Sequence, residues 1–300
     1  MTKLLQLQQI NISATCSDIE DIIKNTMLQL KRDGAVLGLS GGLDSAVTAA
    51  LTVRSLGAEK VHFLNLPEKD SKPIHKEHAK FMAKHLGVKL KTKSITPILK
   101  AAKTYRLLPI HLIPFRKLRG KIVEYAKARF FDNKSDKILE ARLKPKANSW
   151  IAKGNAYAVT KHRMRMVMIY QYADRHNLMV VGAANKTELL TGTFCKWGVD
   201  HCADVMPIIH IYRSQLEEVA KYLEIPEVIQ NKPPDPDVLP GIPDKEELVG
   251  ETTVVDQILF SLENNNDLSE FYNRYGKDAV DRIVSLVELS KHMRESPYRL

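Results

Sequence analysis

Residues 34–45 read Gly-Ala-Val-Leu-Gly-Leu-Ser-Gly-Gly-Leu-Asp-Ser, an apolar run that passes into a glycine-containing turn. The apolar part, 35–39, predicts a buried strand, and residues 46–56 beyond the turn have the composition of a helix. A strand, a turn and a helix in this order place the N–H groups of the first helical turn at the carboxyl end of the strand. Because glycine lets the backbone approach an anion and adopt positive φ, the stretch predicts a phosphate-binding loop.

Asp44 gives this turn its chemical character. A carboxylate beside phosphate groups is repulsive unless a cation lies between them, and Mg²⁺ accepts carboxylate and phosphate oxygens together. The turn lacks the lysine pattern of a P-loop NTPase and the GxGxxG spacing of a dinucleotide fold. The competing interpretation is an ordinary glycine turn whose Ser and Asp side chains cap a helix. We expect a magnesium ion at Asp44.

The flanking sequence alternates between helical and extended patterns. A capping-box spacing at 17–20 predicts the start of the first helix. We expect helices at 18–32, 46–56, 73–86 and 163–176, and strands at 35–39, 61–66, 89–96 and 178–183. This alternation predicts an α/β fold with a parallel sheet and helices on both faces, whose ligands gather at the carboxyl ends of the strands. Residues 231–244, rich in proline and acids, predict a long functional or disordered loop.

The chain has 300 residues, 45 Lys and Arg against 35 Asp and Glu, and 44% hydrophobic residues, which is typical of a globular protein. Residues 101–153 hold 14 Lys and Arg against four Asp and Glu, so the whole net charge of +10 lies in this segment. We expect residues 1–300 to form one domain with a basic helical insertion at 101–153. The basic face of the insertion is either solvated or a binding surface for polyanions or an acidic partner.

Other residue types exclude several classes of protein. Cys16, Cys195 and Cys202 have neither disulfide-framework nor zinc-site spacing, and we expect free thiols. His75, His78 and His85 lie at helical spacing among basic residues, which favours a mixed surface face of a helix over a metal site. No membrane span or secretory signal is recognisable, so we expect a cytoplasmic protein without membrane contacts.

Further motifs occur in the second half of the chain. These are KHRMRM at 161–166, VVGAANKTE at 180–188, GTFCKWG at 192–198 and DVMPI at 204–208. Together with SGGLDS at 40–45, they resemble the ammonia-dependent NAD synthetase family of the N-type ATP pyrophosphatases. The resemblance covers about 18–294, except most of the basic insertion, and it implies the adenine nucleotide alpha hydrolase-like fold.

The resemblance implies a reaction in two steps. The nicotinate carboxylate of deamido-NAD attacks the α-phosphate of ATP and releases pyrophosphate, and ammonia then displaces AMP to give NAD. ATP, deamido-NAD and ammonia are the implied substrates, Mg²⁺ is the implied cofactor, and a homodimer is the typical assembly. Phosphoryl transfer needs positioning and charge neutralisation more than a nucleophilic side chain, so Ser40 and Ser45 are better interpreted as phosphate ligands.

The resemblance also implies residue roles. The implied catalytic residues are Asp44, Glu188 and Lys196, of which Asp44 and Glu188 share the metal. The implied ATP contacts are Gly38, Leu39, Ser40, Gly41, Gly42, Leu43, Asp44, Ser45, Ala183, Arg213 and Asp235. The implied contacts of the dinucleotide are Arg163, Lys196, Asp204 and His292. Two of these sites have plainer interpretations: Arg163 with Arg165 as solvated side chains on a helix, and Glu188 as an acid that complements a helix dipole.

Some residues depart from the family pattern. The run after Gly198 is one residue longer than the family's, which places the change at 199–203, near the implied nicotinate site. A related ligase that adenylates a different carboxylic acid is therefore an alternative. A tRNA-modifying or RNA-binding ATP pyrophosphatase that uses the basic segment is another, although nucleic acid is the less favoured partner. A protein that binds nucleotide without turnover is a third.

Overall fold

The sheet is the centre of the fold. The computed structural model describes residues 10–108, 138–199, 201–232 and 250–296. The strands are β1 at Gly34–Gly38, β2 at Val61–Asn65, β3 at Leu90–Thr92 and β4 at Leu178–Val180. They are all parallel, in the order β3-β2-β1-β4. A parallel bridge between Val181 and Val205 continues the pairing beyond β4.

Helices cover both faces of this sheet. They are α1 at Ile12–Gln29, α2 at Leu43–Leu56, α3 at Pro73–His85, α4 at Thr96–Ala101, α5 at Ile138–Leu143, α6 at Trp150–His176, α7 at Lys186–Thr191, α8 at Arg213–Tyr222, α9 at Glu227–Gln230, α10 at Thr252–Glu263, α11 at Ser269–Tyr275 and α12 at Lys277–Arg294. Within the described part of the chain, no helix has the length and apolar content that a membrane span requires.

The alternation of β1 explains the layers. Ala35 and Leu37 pack into one core cluster with α1, α2, α3 and α8, whereas Val36 packs into a second cluster with α4 and α6. Strands covered on both faces are apolar at nearly every position, which is why 35–39 carries no alternation in the sequence. A third apolar cluster joins α10, α11 and α12. The predicted α/β fold with a parallel sheet is confirmed.

Several predicted boundaries are wrong. α1 begins at Ile12, because the Asn11 side chain accepts a hydrogen bond from the Ala14 N–H at 3.1 Å and caps the helix there. Ser17, predicted as the cap, lies inside α1, and its hydroxyl donates to the Ser13 carbonyl at 3.2 Å. The third strand stops at Thr92. α6 begins at Trp150, well before the predicted 163, because Ser149 caps it by accepting from the Ala152 N–H at 3.1 Å.

The predicted surface position is wrong for two of the three histidines of α3. His75 and His78 are buried, whereas His85 is exposed. Their side of α3 packs against the turn after β1, since a Cβ added at Gly41 would lie 2.3 Å from the His75 carbonyl oxygen.

Only the flanks of the basic segment belong to the described residues. Within the segment, residues 138–143 and 150–153 are helical, and the basic insertion at 101–153 stays a prediction. Residues 109–137 lie outside the described residues, as do 233–249, which include Asp235 and most of the predicted 231–244 loop. Cys16, Cys195 and Cys202 are all described and are free thiols.

Gly41→Ala is expected to destabilise the fold more than Gly87→Ala does. Both glycines have positive φ, +82° and +69°, but a Cβ at Gly87 meets nothing within 4 Å. Gly87→Ala should therefore cost only the left-handed backbone penalty, about 1–2 kcal/mol. Gly41→Ala adds the collision with α3. Urea unfolding of both variants gives the comparison, and equal losses would show that α3 does not constrain the turn.

Candidate active site

A cavity opens where the strand order reverses. β1 pairs with β2 on one side and with β4 on the other, so the chain diverges at their carboxyl ends. A cavity of about 370 Å³ lies there, lined by the turns after β1 and β4 and by the first residues of α7 and α8. Ligands of open parallel sheets bind at this position.

The turn after β1 is fixed by its own side chains. The hydroxyls of Ser40 and Ser45 lie 2.9 Å apart, and the Ser45 hydroxyl donates to the Gly42 carbonyl at 3.0 Å. The Gly42 N–H donates to the Ser40 hydroxyl at 3.2 Å. These bonds hold the first turn of α2 open towards the cavity. The predicted phosphate-binding residues that line the cavity are Gly38, Leu39, Ser40, Gly42, Leu43, Asp44 and Ser45, and Gly41 lies behind them against α3.

Asp44 is held from two sides. The Asn185 side-chain amide donates to Oδ1 and the Arg213 guanidinium to Oδ2, both at 2.7 Å. Burial lowers the pKa of Arg213, but the carboxylates of Asp44 and Glu188 raise it more, so this pKa lies above its ordinary value. The guanidinium therefore faces both carboxylates predicted to share a metal.

The residues around Asp44 fit a magnesium ion. Asp44 lies in the first turn of α2 and Glu188 in the first turn of α7, and both line the cavity beside the phosphate-binding turn. Carboxylate oxygens next to phosphate oxygens are the donor set that Mg²⁺ prefers. Glu188 also accepts from the Asn185 N–H at 3.2 Å, as the predicted helix-start acid would. The two interpretations of Glu188 are compatible.

A buried carboxylate joins the two helix starts that carry these residues. Asp256 of α10 is fully buried and accepts from the Thr187 hydroxyl at 2.5 Å and from the Ser214 N–H at 2.7 Å. Thr187 in turn accepts from the Arg213 N–H at 2.9 Å. Asp256 thus fixes α7 against α8, and with them Asn185 and Arg213 around Asp44.

Cations line much of the cavity. Lys232 lies 2.6 Å from Nδ1 of His75 and approaches the Gly41 carbonyl at 3.5 Å. Since an ammonium group only donates, Nδ1 of His75 accepts. Burial, followed by the positive charge of Lys232, lowers the pKa of His78. The lining cations are Lys72, Lys76, Arg142, Arg165, Arg213 and Lys232, against the carboxylates of Asp44 and Glu188. Such a balance favours a polyanionic ligand.

Three predicted dinucleotide contacts form a separate cluster outside the cavity lining. The Arg163 guanidinium donates to the Lys196 carbonyl at 3.3 Å, and the Lys196 ammonium donates to the His292 carbonyl at 2.6 Å. Arg163 and His292 are exposed. Arg165, by contrast, lines the cavity and donates through Nε to the Leu66 carbonyl at 3.1 Å. The plainer interpretation, in which both arginines are solvated side chains, therefore fits Arg163 and is wrong for Arg165.

Asp204 and Ala183 lie at the end of β4. The Asp204 carboxylate accepts from the Val180 N–H at 2.7 Å and from the Tyr170 hydroxyl at 3.3 Å, so it also closes the end of the strand. Ala183 lines the cavity.

The sequence interpretation missed other residues of the site. Asn185 belongs to the VVGAANKTE motif, but its position as the N-cap of α7 is what directs its amide to Asp44. Asp256 has no local signal, because its partners lie 69 and 42 residues away in the chain. Lys72, Arg142 and Lys232 are recognisable only once the cavity is known.

Comparison with known proteins identifies the family. A model of the family described as NAD synthase matches residues 15–110 and 126–297. The chain belongs to the NAD synthase family. The unmatched residues between the two parts, 111–125, fall inside the basic segment. Membership decides in favour of an enzyme that forms an amide over a tRNA-modifying one.

Curated relatives agree with this NAD synthase assignment, and two solved structures share the fold. The chain is 39% identical to an NH(3)-dependent NAD(+) synthetase of Thermotoga maritima, over 92% of this chain and 95% of the relative. It is 32% identical to one of Methanocaldococcus jannaschii, over 93% of both chains. NMN synthetase from Francisella tularensis shares the fold, with a TM-score of 0.69 at 24% identity over 97% and 99% of the two chains. NH3-dependent NAD synthetase from Campylobacter jejuni has a TM-score of 0.66 at 23% identity over 97% and 100%.

Asp256→Asn is expected to weaken this NAD synthase site from a distance. The asparagine side chain can accept one of the two hydrogen bonds through its oxygen. Its buried amide N–H group then faces the other donor, at a cost of about 1–3 kcal/mol. We expect a lower free energy of unfolding and weaker binding of ATP, measured by calorimetry. Asp174→Asn is the matched control, since Asp174 is exposed on α6. If the two substitutions had the same effect on ATP binding, Asp256 would not position the site.

Proposed function

We propose that this chain is an ammonia-dependent NAD synthetase, which uses ATP and Mg²⁺ to convert the nicotinate carboxylate of deamido-NAD to the amide. The observation that carries the proposal is the Asp44 and Glu188 pair beside a phosphate-binding turn in one cavity. Curated relatives named NH(3)-dependent NAD(+) synthetase, 39% and 33% identical over 92% and 94% of this chain, support the reaction.

The reaction explains why a phosphate site is needed at all. A carboxylate resists ammonia because it is anionic and has no leaving group. Its oxygen therefore attacks the α-phosphorus of ATP, the bond to the pyrophosphate breaks, and a mixed anhydride with AMP forms. Ammonia then attacks the acyl carbon, AMP leaves with the former carboxylate oxygen, and the amide remains. Both steps depend mainly on positioning and on charge neutralisation.

The residues of the cavity have distinct tasks in this scheme. N–H groups at the start of α2, with the hydroxyls of Ser40 and Ser45, bind the pyrophosphate part of ATP. Asp44 and Glu188 hold Mg²⁺, which when bound neutralises phosphate charge. Arg213 balances the carboxylates and contacts the phosphates. The apolar wall formed by Ile169, Val181, Phe194 and Val199 limits the water that would hydrolyse the mixed anhydride.

The dinucleotide binds partly outside the cavity in this proposal. Arg163, Lys196 and His292 form the cluster described above, in which Lys196 is half-buried and is the family-implied catalytic residue. The predicted homodimer, the typical assembly of the family, stays a prediction. Light scattering of the purified chain measures the assembly.

A product assay tests the proposal directly. With ATP, Mg²⁺, ammonium and deamido-NAD, we expect NAD, AMP and pyrophosphate in equal amounts. A parallel reaction contains nicotinate mononucleotide, the acid whose amide is NMN, because the longer 199–203 run leaves the acceptor open and an NMN synthetase shares the fold. If only nicotinate mononucleotide were converted, it and not deamido-NAD would be the substrate. If neither acid led to the formation of AMP, both assignments would be contradicted.

Asp44→Asn and Glu188→Gln are each expected to depress the formation of pyrophosphate by at least about tenfold. Each removes one negative charge from the pair that holds Mg²⁺, while the side-chain shape is retained. Raising the Mg²⁺ concentration should recover part of the lost rate. Glu218→Gln, an exposed change on α8, serves as the control. Full activity of either site variant at low Mg²⁺ would remove its metal role.

A further inference from the structure

The turn between β2 and α3 is held by a buried ion pair. The Lys161 ammonium lies 2.8 Å from Oε1 of Glu68, and these side chains are 2% and 1% exposed. The Tyr105 hydroxyl donates to Oε2 of Glu68, also at 2.8 Å. Burial raises the pKa of Glu68, but the Lys161 charge and the hydrogen bonds lower it more, so this pKa lies below its ordinary value.

Stability alone does not account for this pair. Removing two charges from water costs several kcal/mol per ion, and well-packed apolar residues in place of a buried pair are often as stable or more so. Much of the contact between α6 and the sheet is apolar, through residues such as Ile169 and Ala173, although Tyr172 also lies within hydrogen-bond distance of His62 on β2, at 3.0 Å. A buried pair in such a contact fixes one geometry, since each charge accepts no other partner at low cost.

What the pair fixes is a wall of the cavity. The Glu68 N–H donates to the Ser71 hydroxyl, and the Ser71 N–H donates to the Glu68 carbonyl, both at 3.1 Å. Ser71 and Lys72 line the cavity at the end of this turn. Since the first turn of α3 packs against Gly41, Lys72 lies on the side of the phosphate-binding turn.

The same turn is bound to both flanks of the basic segment. Tyr105 precedes residues 109–137, and Tyr157 follows them on α6. The Tyr157 hydroxyl donates to the Asp70 carboxylate at 3.2 Å, and the rings of Tyr105 and Tyr157 meet edge to face with centroids 6.1 Å apart. Residues on both sides of 109–137 therefore contact the turn that forms this wall of the cavity.

We propose that Glu68 and Lys161 are positioning residues, which hold the 67–72 turn so that Lys72 faces the β- and γ-phosphates of ATP. The inference rests on the proposed function only in taking ATP as the ligand. It does not depend on which acid accepts the adenylate.

The test compares ATP with AMP in calorimetric binding to the whole chain without an acid substrate. In Glu68→Gln/Lys161→Met both buried charges are removed at nearly constant volume. We expect the Kd of Mg·ATP to rise about tenfold, as for one lost charge-assisted contact. The Kd of AMP, which lacks the β- and γ-phosphates, should stay within about twofold. The control is Glu20→Gln/Arg54→Met, an ion pair between α1 and α2 at 2.9 Å.

Lys72→Gln identifies the route of the effect. If the pair acts through Lys72, this single variant binds ATP more weakly and AMP as tightly as the unaltered chain. Adding the pair substitutions to Lys72→Gln should then cause little further loss of ATP affinity, because the effects of coupled residues are not additive. Tyr105→Phe keeps the buried charges paired and removes one hydrogen bond to Glu68. We expect it to raise the Kd of ATP about threefold and to leave AMP unchanged.

The outcomes separate this inference from the proposed function. Equal losses for ATP and AMP, additive effects, or unchanged ATP binding in both Tyr105→Phe and the pair variant would overturn the positioning role. Failure of the unaltered chain to bind Mg·ATP would instead overturn the proposed function. Should the pair variant not fold, Tyr105→Phe and Lys72→Gln still decide the question.

Discussion

The site depends on how one carboxylate is neutralised. Asp44 lies in the first turn of the helix that follows the phosphate-binding turn, where a negative charge would repel the phosphates that this turn binds. The Arg213 guanidinium balances that charge and the Asn185 amide donates to the same carboxylate, both at 2.7 Å, and the two residues come from the starts of two other helices. The position of those helices is in turn fixed by Asp256. The charge balance of the site therefore depends on how the helices around it pack.

The topology of the sheet brings the residues of the site together. Residues 44 and 213 are far apart in the chain, yet the reversal of strand order at β1 and β4 brings the following turns to one edge. The cavity between them receives cations from several elements, including Arg142 on the flank of the basic segment. A polyanionic substrate is then bound by groups that the fold holds in place before it arrives, which lowers the entropic cost of reaching the reactive geometry.

Local features of the site could be predicted from the sequence, and long-range ones could not. The turn at 40–45 is recognisable because its glycines, hydroxyls and carboxylate are contiguous. Asp256 and Glu68 carry no signal, because their roles arise from partners on other elements. The start of α1 was misplaced because Asn11 and Ser17 both precede an apolar stripe, and only packing decides between two such caps. The lysines around His75 and His78 in the sequence are typical of a solvated face, but the packing of α3 against the turn after β1 buries both histidines.

The central claim is that this cavity activates a carboxylate by joining it to AMP. Deamido-NAD labelled with ¹⁸O in the nicotinate carboxylate tests it most directly, with mass spectrometry of the AMP formed in the presence of ATP, Mg²⁺ and ammonium. A mixed anhydride leaves one carboxylate oxygen on the phosphorus, so we expect one ¹⁸O atom in each AMP. Unlabelled AMP accompanied by labelled water or labelled pyrophosphate would show that the carboxylate never attacks the α-phosphorus, and the account would be wrong.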